Sequence, residues 1–148
     1  MSKRRTMKRV LITENVEVAE NMLRNAFGAL GEEYVVSYVS SGEACLEYLQ
    51  QSDNYDLCFV LLDMQVPGVV ESNLLTRLST EEAFRTIPVI VFTAYTTKEQ
   101  VLNCYNEGAN AFVVRPDTAE EYNRVIATIT DFWGNVNVLA KPEAVVEF

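Results

Sequence analysis

Histidine is absent from all 148 residues. That excludes Ser-His and Cys-His nucleophile pairs, imidazole metal ligands, and any role as a histidine kinase or phosphohistidine carrier. Acid-base or metal chemistry must therefore rest on carboxylates, hydroxyls, Lys and Arg. Cysteine is scarce: Cys45, Cys58 and Cys104 are odd in number, far apart and form no CxxC pair. Neither a disulfide framework nor a zinc site is indicated, and all three are expected as small core or half-buried residues. Positive charge is also short, with 12 Lys and Arg against 21 Asp and Glu and a formal net charge of −9. This argues against nucleic-acid binding, which draws its affinity from cationic neutralisation of phosphates. The one basic cluster, Lys3-Arg4-Arg5 with Lys8-Arg9, reads as solubilising, and residues 1–7 are expected to be a basic leader. No apolar run approaches the roughly 20 residues that cross a bilayer. The basic start is not followed by the apolar core of a signal peptide, so a cytoplasmic chain without membrane contact is expected. Internal repeats and low-complexity tracts are missing too.

What is present is a globular composition, 49% hydrophobic and 22% charged, of a length that suggests one domain with its own core. Short apolar runs alternate with segments of helical period, an order that predicts parallel strands joined by crossover helices. The strands are expected at Arg9 to Thr13, Tyr34 to Val39, Leu57 to Leu62, Pro88 to Phe92 and Ala111 to Val114. Leu57 to Leu62 (LCFVLL) does not alternate, which fits a central strand covered on both faces. The first helix is expected over Glu17 to Leu30 with Val18, Met22, Leu23, Ala26 and Phe27 on its apolar face. A second, from Ser41-Gly42 through Gln50, carries Ala44, Tyr48 and Leu49, and a weaker one lies near Asn73 to Leu78. Thr97-Lys98-Glu99-Gln100 and Thr118-Ala119-Glu120-Glu121 have the pattern of capping boxes. The helix from Thr97 should stop at Gly108. The one from Thr118 presents Tyr122, Val125, Ile126, Ile129 and Phe132. The expected organisation is a domain over 8–133 and a tail over 134–148.

In an open α/β sheet, ligands gather at the carboxyl ends of the strands. Those ends are Thr13 and Glu14 after the first strand, Asp63 after the third, Thr93 after the fourth and Arg115 after the fifth. Asp63 opens the stretch Asp63-Met64-Gln65-Val66-Pro67-Gly68, where an Asp is ordinarily a turn residue that accepts backbone N–H bonds. With a hydroxyl and a cation at the same rim, however, it joins a set suited to a metal and a phosphoryl group.

The ordered set of Asp-Met-x-x-Pro-Gly at Asp63, Ile87-Pro88 ahead of a run ending in Thr93-Ala94, Glu107-Gly108-Ala109, and Arg115-Pro116 resembles the receiver domains of two-component response regulators. The resemblance covers about Lys8 to Trp133. Asp63 and Thr93 stand thirty positions apart, and Thr93 and Arg115 twenty-two, intervals typical of that family. The closing Asp131-Phe132-Trp133 resembles the small regulators associated with phytochromes. The implied fold is flavodoxin-like: a doubly wound, five-stranded parallel sheet with helices on both faces.

The resemblance implies a switch rather than an enzyme. Asp63 is the implied phosphoacceptor, with a sensor histidine kinase or phosphotransfer protein as donor. Thr93, Ala94, Arg115 and Phe112 contact or report the phosphoryl group, and Phe112 is the aromatic that turns inward. Mg²⁺ is implied at Glu14, Asp63 and the backbone carbonyl of Gln65, with Thr13 as a further oxygen. Gln65 and Tyr95 occupy the positions that tune loss of the phosphoryl group, and the ring of Tyr95 is expected to cover the water's approach. Output is expected through a downstream protein target and a homodimer using the last helix or the residues after it. The chain departs from the family in having Thr13-Glu14 in place of two acids and Arg115 in place of Lys. Loss of a ligand charge predicts weaker Mg²⁺ binding, and a guanidinium does not reproduce a compact ammonium. An Arg115–Asp63 pair would imitate part of the activated state, which leaves open a phosphorylation-independent pseudo-receiver acting as an interaction module. A flavodoxin-like cofactor enzyme is disfavoured, because no Gly-rich phosphate loop follows the first strand.

Overall fold

The computed structural model describes residues 7–51, 53–94 and 96–140. The strands are β1 (Lys8–Thr13), β2 (Tyr34–Val39), β3 (Leu57–Leu62), β4 (Val89–Thr93) and β5 (Ala111–Val114), all parallel, in the order β2-β1-β3-β4-β5. Between and after them run α1 (Glu17–Gly28), α2 (Gly42–Gln51), α3 (Leu74–Thr80), α4 (Lys98–Asn106) and α5 (Ala119–Thr130). This is the flavodoxin-like order, in which the chain reverses direction across the sheet between β1 and β3.

Two apolar layers flank the sheet. On one side Leu23, Ala26 and Phe27 of α1 meet Tyr122, Ile126 and Ile129 of α5 over Val10, Ile12, Leu61 and Phe92. On the other, α2, α3 and α4 cover Leu11, Val60, Leu62 and Val91. All six residues of β3 are buried, as expected for a strand covered twice. Arg9 pairs with Leu57 and Val10 with Phe59, so Cys58 is an extra residue, and the bulge turns both Cys58 and Phe59 toward the α1–α5 side. All three cysteines are buried.

The helical faces depart from expectation in three places. In α1, Val18 is exposed and Ala19 is buried in its stead, because the buried face runs Ala19, Leu23, Ala26, Phe27. In α2 the buried set is Gly42, Cys45, Leu46 and Leu49, leaving Ala44 and Tyr48 at the margin. After α5 the chain widens into a π-helical turn, Asp131–Val136. The Thr130 hydroxyl donates to the carbonyls of Ile126 and Ala127 at the junction, competing with the regular ladder. The wider turn swings Phe132 outward, 47% exposed, while Trp133 packs on the α1–α5 layer. The tail expected from residue 134 thus begins inside this turn, and Leu139 still touches the core. Residues 141–148 of that tail and residues 1–6 of the leader lie outside the described residues.

Thr97 makes the full reciprocal capping box with Gln100. Thr118 makes half of one: its hydroxyl accepts from the Glu121 N–H, but the Glu121 carboxylate is taken by Arg124. Gly108, at φ 110°, ends α4 where expected. Of the basic cluster, Lys8 and Arg9 belong to β1, where they pair with Glu33 and Asp56.

Candidate functional site

The register brings the strand ends together. Thr13 pairs with Leu62, Leu62 with Val91, and Thr93 with Val114, so Glu14, Asp63, Thr93 and Arg115 all leave the sheet at one rim. Thr13 fixes the rim. Its hydroxyl donates to the Leu61 carbonyl at 3.2 Å and accepts the Asp63 N–H at 3.1 Å, tying β1 to the point where β3 ends.

Asp63 is buried, and both carboxylate oxygens are engaged. Oδ1 accepts the Gln65 N–H at 2.9 Å and the Thr93 hydroxyl at 3.0 Å; Oδ2 accepts Arg115 Nη2 at 2.6 Å. The turn role and the site role of this Asp therefore coexist, one on Oδ1 and the other shared between the two oxygens. Arg115 Nη1 reaches Glu14 Oε1 at 2.9 Å, and Glu14 Oε2 accepts the N–H groups of Asn15 and Val16 at 3.2 Å each. Glu14 thus also serves the start of α1. The backbone N–H of Arg115 donates to the Thr93 carbonyl at 2.7 Å, anchoring it at the end of β5. The three charged side chains are 1%, 3% and 9% exposed for Glu14, Asp63 and Arg115.

Burial pushes the Glu14 carboxyl above its ordinary value, against the opposing pull of Arg115 and the two backbone N–H groups. The Tyr122 phenol on α5 is also raised by burial, while the adjacent Arg115 acts in the other direction. Among the described residues, Arg115 Nε is buried without a hydrogen-bond partner. Reading the sequence missed Tyr122 as a neighbour of the site. It appears there as one of the apolar positions of the last helix, and only the packing of α5 against the β4 and β5 ends reveals its contact.

Beside Thr93 lies a cavity of about 310 Å³, lined among others by Met64, Gln65, Leu74, Cys104 and Phe112. Phe112 packs on the α2–α4 layer and faces this space, Gln65 is exposed at its rim, and Ala94 is exposed just past β4. Tyr95 lies outside the described residues.

The donor set does not fit a divalent cation as arranged. Among the described residues no cluster of three or more His, Cys, Asp or Glu is placed to hold one. The two carboxylates at the rim already accept from a shared guanidinium, and Thr13 is engaged with two backbone groups. What the site offers is a buried carboxylate flanked by a hydroxyl and a planar cation.

Comparison with known proteins bears on the family and the fold. The response regulator receiver domain family matches residues 10–127. The probable methanogenesis regulatory protein FilR2 of Methanothrix harundinacea is 26% identical over 127 residues, spanning 84% of this chain and 82% of that protein. Among solved structures, the phosphorylated cyanobacterial phytochrome response regulator RcpA superposes with a TM-score of 0.81 at 18% identity, over 92% of this chain and all of that one. The Mn²⁺-bound form of the response regulator Rcp1 superposes with a TM-score of 0.78 at 19% identity, over 90% of this chain and 99% of that one.

Proposed function

The chain belongs to the response regulator receiver domain family of two-component signalling, and from that premise we propose that it accepts a phosphoryl group on Asp63. One observation carries the reading: the Asp63 carboxylate meets the Thr93 hydroxyl at 3.0 Å and the Arg115 guanidinium at 2.6 Å. These are an acceptor oxygen, a donor and a cation, the groups a transferred phosphoryl needs around it. None of the 148 residues is a histidine, so none of them is the donor, which is a histidine kinase, a phosphotransfer protein or a small acyl phosphate. On transfer, Arg115 leaves Oδ2 for the phosphoryl oxygens, which its fork can grip in pairs. Thr93 follows, and Phe112 turns into the cavity beside it. The surface that responds is that of α4, β5 and α5, where Leu102, Tyr105 and Val114 are exposed. A downstream protein reads it, and a homodimer uses the turn that follows α5, where Phe132 offers an exposed ring of the kind that anchors interfaces.

Intact-mass measurement after incubation with an acyl phosphate tests this directly. The expected result is one phosphoryl group on the parent and none on Asp63→Asn. A second reading, favoured by the hold that Arg115 and Thr93 already have on Asp63, is a pseudo-receiver whose partner surface does not answer to phosphate. It predicts no added mass, and the same partner binding by the parent and Asp63→Asn.

A further inference from the structure

We propose that Arg115 is the resident cation of this pocket, that it stands in for a divalent ion, and that phosphoryl acceptance proceeds without one. The last part rests on the phosphoryl-accepting reading; the first does not. A small divalent ion needs several oxygens at short, near-octahedral distances. Here Glu14 Oε1 and Asp63 Oδ2 each accept from a different terminal nitrogen of one guanidinium, at 2.9 and 2.6 Å. Glu14 Oε2 and Asp63 Oδ1 accept from backbone N–H groups, and Asp63 Oδ1 also from the Thr93 hydroxyl.

A metal would have to evict the guanidinium from two buried carboxylates, or settle beside a fixed positive charge. Both are costly where water is excluded. A lysine, with one ammonium, lacks the planar fork that lets separate nitrogens bridge two acids. The replacement of Lys by Arg and the missing second acid are therefore one change: the pocket has fewer ligands for a metal and a side chain that neutralises those remaining.

The transfer balances without a metal. A lone pair on Asp63 Oδ2 forms the bond to phosphorus, the bond from phosphorus to the donor's bridging oxygen breaks, and that electron pair departs with the donor carboxylate. No proton moves, and the guanidinium freed from Oδ2 meets the phosphoryl charge.

The test uses the full chain with Mn²⁺ alone as probe, read as paramagnetic broadening of the Glu14 and Asp63 amide signals. The parent should show no saturable site at millimolar Mn²⁺. Arg115→Ala, or Arg115→Gln if the alanine variant does not fold, should bind at least about tenfold more tightly, because a fixed charge opposing the ion is gone. Equal affinity in parent and variant would overturn the assignment of Arg115. In a second arm, Asp63 labelling by an acyl phosphate is followed with Mg²⁺ and with a chelator. Equal rates support metal-free acceptance, and labelling only with Mg²⁺ overturns it. No label in either condition refutes the phosphoryl-accepting reading and with it metal-free acceptance, while the Mn²⁺ titration still decides the role of Arg115.

Discussion

Arg115 is the residue on which the rim depends most, because it is the shared partner of two buried carboxylates. Removing one member of such a group leaves the others charged and unpaired. Arg115→Ala should therefore cost about 3–5 kcal/mol of stability, measured as a lower midpoint in urea; a change near zero would mean the pairs are not formed. Thr13 is a quieter case. Thr13→Val leaves the buried Asp63 N–H without its acceptor and should cost about 1–3 kcal/mol, whereas Thr13→Ser keeps the bond and should stay near the parent in the same assay. The difference marks what was legible in the sequence. Asp63, Thr93 and Arg115 follow from the strand ends, since a residue just past a parallel strand must reach the rim. The work of Thr13 as a tie between strands, and of Glu14 as a partner of Arg115, depends on register and on a contact spanning a hundred positions, and neither is written in local spacing.

At the level of elements, α2 enters against the loop that carries Asp63. The Gly42 N–H donates to the Pro67 carbonyl at 2.8 Å, and a methyl group at Gly42 would sit 2.6 Å from the Gly68 carbonyl. That neighbour is backbone and cannot rotate aside, so Gly42→Ala should destabilise by about 1–3 kcal/mol, as overpacking does. It should also shift the amide signals of Asp63 to Val69. Unchanged signals would show that the loop is not wedged there. The alternation of strands and helices was readable because buried runs and helical periods differ in kind. The choice of Val18 over Ala19 in α1 failed for a physical reason: several apolar residues compete along one helix, and the sheet beneath decides which stripe is buried. Phe132 failed because periodicity assumes an α-helix, and the chain widens after Thr130.

For the molecule as a whole, the titrating groups set an alkaline limit. Burial pushes the Cys45 thiol from 9.0 up to about 12, and the Tyr34 and Tyr38 phenols from 10.0 up to about 12. Between those values the folded chain keeps protons that the unfolded chain releases. Unfolding free energy therefore falls as pH rises through this window, and the contribution is fully present below it. Urea midpoints should hold up to about pH 9 and decline from there toward about pH 12, and a flat profile would contradict the burial of these groups. Occupancy of the Asp63 rim should also change a distant surface. The most direct test is the amide spectrum of isotope-labelled protein before and after beryllofluoride, a stable mimic of an acyl phosphate. Shifts are expected at Thr93, Phe112 and Arg115, extending to Leu102, Tyr105 and Val114 and absent in Asp63→Asn. A spectrum that does not change, or that changes equally in Asp63→Asn, would contradict this coupling.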